Sequence, residues 1–438
     1  MSVLSILAVR ASFSLLKLAG RGGSLPGSIG LKLDPNSLKK LKIEGPVILV
    51  TGTNGKTSTT NMIAEAFEEA GYKVISNRKG DNLKAGITTA LLTNSTLSGK
   101  LKGTAAVLEV DELNIRHVLP QLPVSALVVN NFFRDQLDRA REMEQLIETI
   151  EKVLPDYSGK LILNANDPNV LRLQYAAPKA EVITFGLEKN PYVTEISTEA
   201  SEGKFCPRCG HRLEYDYYQY SHIGSFHCPQ CHFGTPKLGA ALENINPDTQ
   251  EFDFDGEHFK GPYEGMYSLY NYAALAAAVM AFKLPLKVMT EVFAHAPQPA
   301  GRNETFERDG RKMILNLIKN PTGANEVMKV IERDPSKKDI VIVLNDREQD
   351  GKDVSWIYDT KFEKVMSEQT GTIYCTGLRA NDMALRMYYG GWAGPMKVTE
   401  HLSEALQEAG KDERTVYVIA TYTALLPSRN DIVKEMGL

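Results

Sequence analysis

The stretch Val47-Ile-Leu-Val-Thr-Gly-Thr-Asn-Gly-Lys-Thr-Ser-Thr-Thr60 carries the residue types that phosphate chemistry needs. Its apolar, mostly β-branched start reads as a buried strand. Gly52 and Gly55 break that strand, and apolar residues at helical spacing resume at 62–70. A strand, a glycine turn and a helix start in that order form an anion site, because backbone N–H groups converge where the helix end adds positive potential. Lys56 can offset phosphate charge and the Thr57 hydroxyl can ligate Mg²⁺. Thr53, Asn54, Gly55, Lys56, Thr57 and Ser58 are therefore expected to hold a nucleotide's phosphates. The motif is the shortened Gly-x-x-Gly-Lys-Thr, since Val50 stands where the longer phosphate loop has glycine. Downstream, Ala105-Ala-Val-Leu-Glu-Val-Asp111 reads as a buried strand ending in acids. Glu109 and Asp111 fall on one side of it, placed as Mg²⁺ ligands beside such a loop commonly are.

Cys206-Pro-Arg-Cys209 and Cys228-Pro-Gln-Cys231 are 18 residues apart, the spacing of a Cys₄ zinc ribbon. Four thiolates complete a tetrahedral Zn²⁺ and leave no position for water, so the expected role is structural. His211, His227 and His232 are rival ligands, better read as solvated side chains. Cys375 lies in an apolar run and reads as inert core. Acids crowd Asp346, Asp350, Asp353 and Asp359 after the apolar run 340–344, at a strand's carboxyl end where open α/β sheets place their sites.

These residues need a scaffold of some size. The chain has 438 residues, enough for two or three domains with cores of their own. A net charge of −4 gives no electrostatic case for nucleic-acid binding. Paired cysteines favour metal over disulfides and so a reducing, cytoplasmic setting. No apolar run reaches the roughly 18 residues of a membrane span.

Residues 1–23 lack acids and carry Arg10, Lys17 and Arg21, with Leu4, Leu7, Leu15 and Leu18 on one helical face. A secretory signal is not expected, because Arg10 interrupts the apolar run; the composition also fits a transit peptide. The helix is expected to pack on the next domain or to rest on an anionic membrane surface, here the inner face of the plasma membrane. Strands at 71–76, 105–111, 125–130 and 161–164 alternate with helices, which implies a mainly parallel sheet covered on both faces. Further strands at 340–344, 371–375 and 415–420 predict a second, smaller Rossmann-like α/β unit. The expected division is a lead-in over 1–45, an ATP-binding domain over 46–298 with a ribbon insert at about 203–236, and a final domain over 299–438.

The residues Thr51-Gly-Thr-Asn-Gly-Lys-Thr57 resemble the ATP loop of the Mur ligase family, which includes folylpolyglutamate synthetases. These enzymes activate a carboxylate as an acyl phosphate that an amine then attacks. The resemblance implies a Mur-ligase-type central sheet and makes Glu109 a magnesium ligand. It makes Asn271, on the stretch 267–278, an adenine contact, and Arg302 in Gly301-Arg-Asn-Glu304 a residue facing the nucleotide. Segment 131–138 is similar to the family's Thr-Asn-x-x-x-Asp-His-Leu-Asp, with Asp135 and Asp138 matching. Gln136 replaces the histidine that contacts a second metal ion, and Asn166 replaces an acid of a later motif. In the final domain Asn316 and Lys319 stand where the family has a ribose-binding aspartate and a histidine.

The ribbon is absent from ordinary members. Together with Leu344-Asn-Asp and Asp350-Gly-Lys-Asp-Val-Ser-Trp356, it resembles the branch whose members are synthetase subunits of glutamine-dependent amidotransferases acting on lipid II. That resemblance implies ATP-dependent amidation of a D-glutamate α-carboxylate to D-isoglutamine in peptidoglycan synthesis, with Lys56, Glu109 and Asp353 catalytic. With four cysteines on zinc and Cys375 buried, the chain has no Cys–His glutaminase of its own. A GatD-like glutaminase partner is implied, whose catalytic histidine Asp353 orients; Asp350 is the rival. Two alternatives remain at this level: a stand-alone Mur or folylpolyglutamate-type ligase that adds an amino acid, and a non-enzymatic zinc-ribbon binding module.

Overall fold

The computed structural model describes residues 3–18, 23–78, 81–133, 143–197, 203–297, 301 and 303–438. Asp135, Gln136, Asp138 and Arg302 lie outside the described residues. The chain divides into two compact units, Met1–Phe133 with Met143–Ala296, and Pro297–Leu438.

In the first unit β1 (Val47–Thr51), β2 (Val74–Ile75), β3 (Ala105–Glu109), β4 (Ala126–Val129), β5 (Lys160–Asn164) and β6 (Glu181–Leu187) run parallel in the order β2-β3-β1-β4-β5-β6. Every residue of β1 is buried because helices cover both faces. Met62, Ile63 and Phe67 of the Lys56–Glu69 helix share one core with the alanine-rich Met266–Ala281 helix. Ile87 and Leu91 of the Lys84–Thr93 helix cover the other face. Winding reverses at β1, which lies between β3 and β4, so its carboxyl end opens at the switch point where such sheets bind ligands.

Between β6 and its parallel neighbour β9 (Ala240–Asn246) the chain detours through an antiparallel hairpin, β7 (Glu214–Tyr220) and β8 (Ile223–His227). β10 (Glu251–Phe254) and β11 (Glu257–Lys260) then extend the sheet antiparallel beyond β9. The Val3–Leu18 helix packs through Ile6 and Val9, while Leu4, Leu7 and Leu15 stay exposed. Among the described residues no helix is long and apolar enough to cross a membrane.

The second unit holds β12 (Glu304–Arg308), β13 (Arg311–Leu317), β14 (Lys338–Val343), β15 (Thr370–Thr376), β16 (Met396–Val398) and β17 (Thr415–Ala420), ordered β12-β13-β17-β14-β15-β16. All neighbours pair parallel except β12 with β13. The Pro321–Arg333 and Ala380–Tyr389 helices bury Met328, Ile331, Met383 and Met387 on one face; the Leu402–Glu408 and Tyr422–Met436 helices bury Leu406 and Ile432 on the other.

Candidate active site and metal centre

The phosphate loop follows β1 as expected. Gly52 and Gly55 take left-handed φ values of 131° and 82°, and a Cβ on Gly55 would sit 2.1 Å from the Asn271 Oδ1. Only glycine fits there. Residues 131–133, leaving β4, strap the loop down. The Thr53 N–H donates to the Asn131 carbonyl at 2.9 Å, the Asn54 N–H to Asn131 Oδ1 at 2.8 Å, and the Phe133 N–H to Thr53 Oγ1 at 3.0 Å. The amide oxygen of Asn271, itself buried, accepts the Thr59 hydroxyl at 3.2 Å, so Asn271 underpins the loop from the Met266–Ala281 helix.

Lys56 opens the helix after the loop, with Thr57 and Ser58 half-buried beside it in the first turn. Its ammonium donates to the carbonyls of Gly52 and Thr53 and lies 3.2 Å from both carboxylate oxygens of Glu112. Glu112 is only a third acid in Glu109-Val-Asp-Glu112, with no spacing that marks it out, and folding alone brings it to Lys56. Asp111 lies beyond β3 and caps the short turn after it, accepting the Leu113 N–H at 3.1 Å.

Glu109 ends β3 and is 3 % exposed. Its Oε1 accepts from Asn82 Nδ2 at 2.8 Å, while Oε2 is buried with no hydrogen-bond partner. Asn77 grips the Glu109 backbone N–H and carbonyl, each at 2.9 Å. A buried carboxylate oxygen with nothing to neutralise it is costly unless a cation supplies the missing partner. Glu109 therefore fits a Mg²⁺ ligand, a hard cation that takes oxygen donors.

The four cysteines converge, with all their sulfur atoms within 4.8 Å of one another. Each pair sits in a matching turn: Gly210 N–H donates to the Cys206 carbonyl at 2.9 Å and His232 N–H to the Cys228 carbonyl at 3.0 Å. The left-handed residue is Gly210 in the first turn and His232 in the second. The donor set fits tetrahedral Zn²⁺. His211, His227 and His232 point to solvent, and His227 Nε2 lies 3.3 Å from a Glu214 carboxylate oxygen instead.

In the second unit the acidic loop after β14 sorts its carboxylates. Asp350 is buried: it accepts the Thr423 N–H at 2.7 Å, the Thr423 hydroxyl and the Arg347 N–H at 3.3 Å, fixing the loop to the Tyr422–Met436 helix. Asp353 is exposed and accepts the Ser355 N–H at 2.8 Å. Ser355, through hydroxyl and amide, holds the Asp353 carboxyl below the usual carboxylate range. The following turn is stapled by buried Arg386, which donates to the carbonyls of Ile357 at 2.9 Å and Thr360 at 2.8 Å. Asn316 Oδ1 accepts the Asn303 N–H at 2.9 Å, and Glu304 accepts the Gly301 N–H at 2.8 Å, fixing both sides of position 302. Burial pushes the Cys375 thiol up to about 12, as expected of inert core.

Residues 50–279 match the Mur ligase middle domain, and residues 317–425 match the MurT ligase C-terminal domain. The chain is 35 % identical, over 97 % of its length and 95 % of the other's, to the lipid II isoglutaminyl synthase (glutamine-hydrolyzing) subunit MurT of Staphylococcus aureus (strain COL). It belongs to the MurT family of Mur ligases. The protein of the same name from Streptococcus pneumoniae (strain R6) is 32 % identical over 100 % of this chain and 99 % of that one. Among solved structures, a pseudomurein peptide ligase type C from Methanothermus fervidus shares the fold, with a TM-score of 0.68 at 19 % identity over 91 % of this chain and 80 % of that one. The middle-domain match contains the phosphate loop, Glu109, the ribbon and Asn271; the MurT C-terminal match contains Asp350 and Asp353.

Proposed function

We propose that the chain is the synthetase subunit of a lipid II isoglutaminyl synthase, amidating the α-carboxylate of D-glutamate in the lipid II stem peptide to D-isoglutamine. The observation that carries this reading is the pairing of a strapped Gly-Lys-Thr loop with buried Glu109 and its partnerless oxygen, in a chain of the MurT family. A carboxylate is a poor electrophile. ATP with Mg²⁺ supplies a phosphoryl group to one of its oxygens, giving an acyl phosphate and ADP, after which ammonia attacks the carbonyl carbon and phosphate leaves. The N–H groups of residues 55–57 and the Lys56 ammonium hold the charge of the transferring group, where such enzymes gain most, while the Thr53 and Asn54 amides are committed to the Asn131 strap. Glu109 and the Thr57 hydroxyl would hold the magnesium, which would offset the phosphate charge. Asn271, the expected adenine contact, supports Gly55 from below the loop.

Ammonia is mostly protonated at neutral pH and is best made locally. A GatD-like glutaminase subunit supplies it, and Asp353 orients that subunit's catalytic histidine. Exposure of Asp353 favours it over Asp350, whose carboxylate is occupied by Thr423 and Arg347. We place the enzyme in the cytoplasm at the membrane's inner face, with the exposed Leu4, Leu7 and Leu15 turned toward the lipid-linked substrate's surface. The functional division is the lead-in 1–45, the ATP domain 46–298 and the partner-facing domain 299–438.

Purified chain incubated with lipid II, ATP and either glutamine plus partner, ammonium, or free amino acids tests this. Amidated product and ADP with glutamine or ammonium are expected. Amidation without ATP turnover, or an amino-acid adduct, overturns the reading in favour of another activity.

A further inference from the structure

The ribbon's hairpin turn is buried, although turns normally face water. Tyr220, Ser221, His222 and Ile223 are all almost fully covered. His222 is 2 % exposed, and neither ring nitrogen has a hydrogen-bond partner. The imidazole stands edge-on to Phe133 at 4.9 Å between centroids, and its Nε2 lies 3.3 Å from Asp167 Oδ1. The other Asp167 oxygen accepts the Phe132 N–H at 2.9 Å. Phe132 and Phe133 belong to the strap over the phosphate loop, where the Phe133 N–H donates to Thr53 Oγ1. Beside His222, the Tyr220 ring lies 5.8 Å from Phe133 and 5.6 Å from Tyr270, the helix neighbour of Asn271. The ribbon thus reaches the loop through the strap and through the helix beneath it.

The cysteine pairs lie at the hairpin's other end. Cys209 precedes β7 and Cys228 directly follows β8. A two-stranded hairpin is marginal alone, and a Cys₄ site is what closes this one.

We propose that the zinc ribbon serves the nucleotide site: its buried turn, with His222 as positioning residue, sets the strap at 131–133 that holds the phosphate loop. This rests on the reading of that loop as the ATP site. A ribbon that only stabilised itself would leave the loop's amides unaffected.

The test uses the full-length protein. Amide hydrogen exchange is followed across residues 51–57 and 130–133, and binding of a non-hydrolysable ATP analogue with Mg²⁺ by calorimetry. Four proteins are compared: zinc-loaded wild type, zinc-loaded H222A, zinc-depleted C209S, and zinc-loaded L154A. The last trims a fully buried residue that precedes β5 in the core on the other face of the sheet, so it controls for general destabilisation. H222A is expected to retain zinc by metal analysis, to exchange Thr53 and Asn54 at least about tenfold faster, and to bind the analogue about tenfold more weakly. L154A is expected to lower the melting temperature without either effect, and C209S, if folded, to match H222A. Wild-type exchange rates in H222A, or equal changes in L154A, overturn the proposal. If wild type binds no analogue, the ATP reading fails while the exchange data still decide whether ribbon and loop are coupled.

Discussion

Lys56 and Glu112 meet across the floor of the phosphate loop, the ammonium nitrogen 3.2 Å from each carboxylate oxygen, with side chains only 11 % and 8 % exposed. The pair holds the one cation of the loop in a largely dry setting, where charge interactions are strong. Incoming phosphates need the same cation. K56A is therefore expected to lower amidation by at least about 100-fold. E112Q removes a carboxylate that competes for Lys56 and should tighten nucleotide binding. Calorimetric titration checks the second expectation and a product assay the first; unchanged amidation in K56A would count against the assigned role.

Glu109 bears a different burden. Its buried Oε2 lacks a partner, so E109Q deletes an uncompensated charge and should leave stability within about 1 kcal/mol of wild type or above it. Amidation should nevertheless fall about 100-fold, with half-saturating Mg²⁺ shifted upward. Thermal melts and a magnesium titration separate these effects. A destabilised E109Q with normal magnesium dependence would mark Glu109 as structural.

Asp353 and Asp350 are three residues apart and should fail differently. Hydrogen bonds from the Ser355 hydroxyl and amide depress the Asp353 pKa, favouring the charged form, which is lost only as pH falls through that lowered value. Asp353 thus stays ionised at neutral pH, and the acid limb of glutamine-driven turnover near pH 6 to 7 should belong to histidine instead. D353N should cut glutamine-driven amidation on the order of 1000-fold while ammonium-driven amidation persists. D350N, losing charged hydrogen bonds from Thr423 and Arg347, should cost about 1–3 kcal/mol and depress both reactions together as the melting temperature is approached. Assays with each nitrogen source, read beside melting curves, discriminate the two.

Zinc should bind at about one ion per chain, and C228S or C231S should reduce it to a small fraction at matched free metal. Binding requires thiolates, so zinc retention should weaken as pH falls, the protonated sulfur being the released form. Metal analysis after dialysis at graded pH measures both. Full retention in either serine variant would shift the ligand set toward a neighbouring histidine.

The sequence alone determined the parts whose meaning is local. The spacing of Gly52, Gly55, Lys56 and Thr57 dictated a strand–turn–helix anion site, because backbone geometry at glycine and helix polarity act within a few residues. The two Cys-x-x-Cys turns dictated a convergence of four soft donors able to hold a metal ion, since each turn places its pair of sulfur atoms on one side within four residues. Tertiary structure decided everything resting on residues far apart in the chain. It brought Glu112 to Lys56, laid Asn271 beneath Gly55 across more than 200 positions, turned Asp350 inward and left Asp353 outside, and seated His222 against Phe133. None of these has a periodicity or a motif to announce it. Which carboxylate is buried and which faces water depends on the packing of whole helices on sheets, and that packing is a property of the assembled core rather than of any segment.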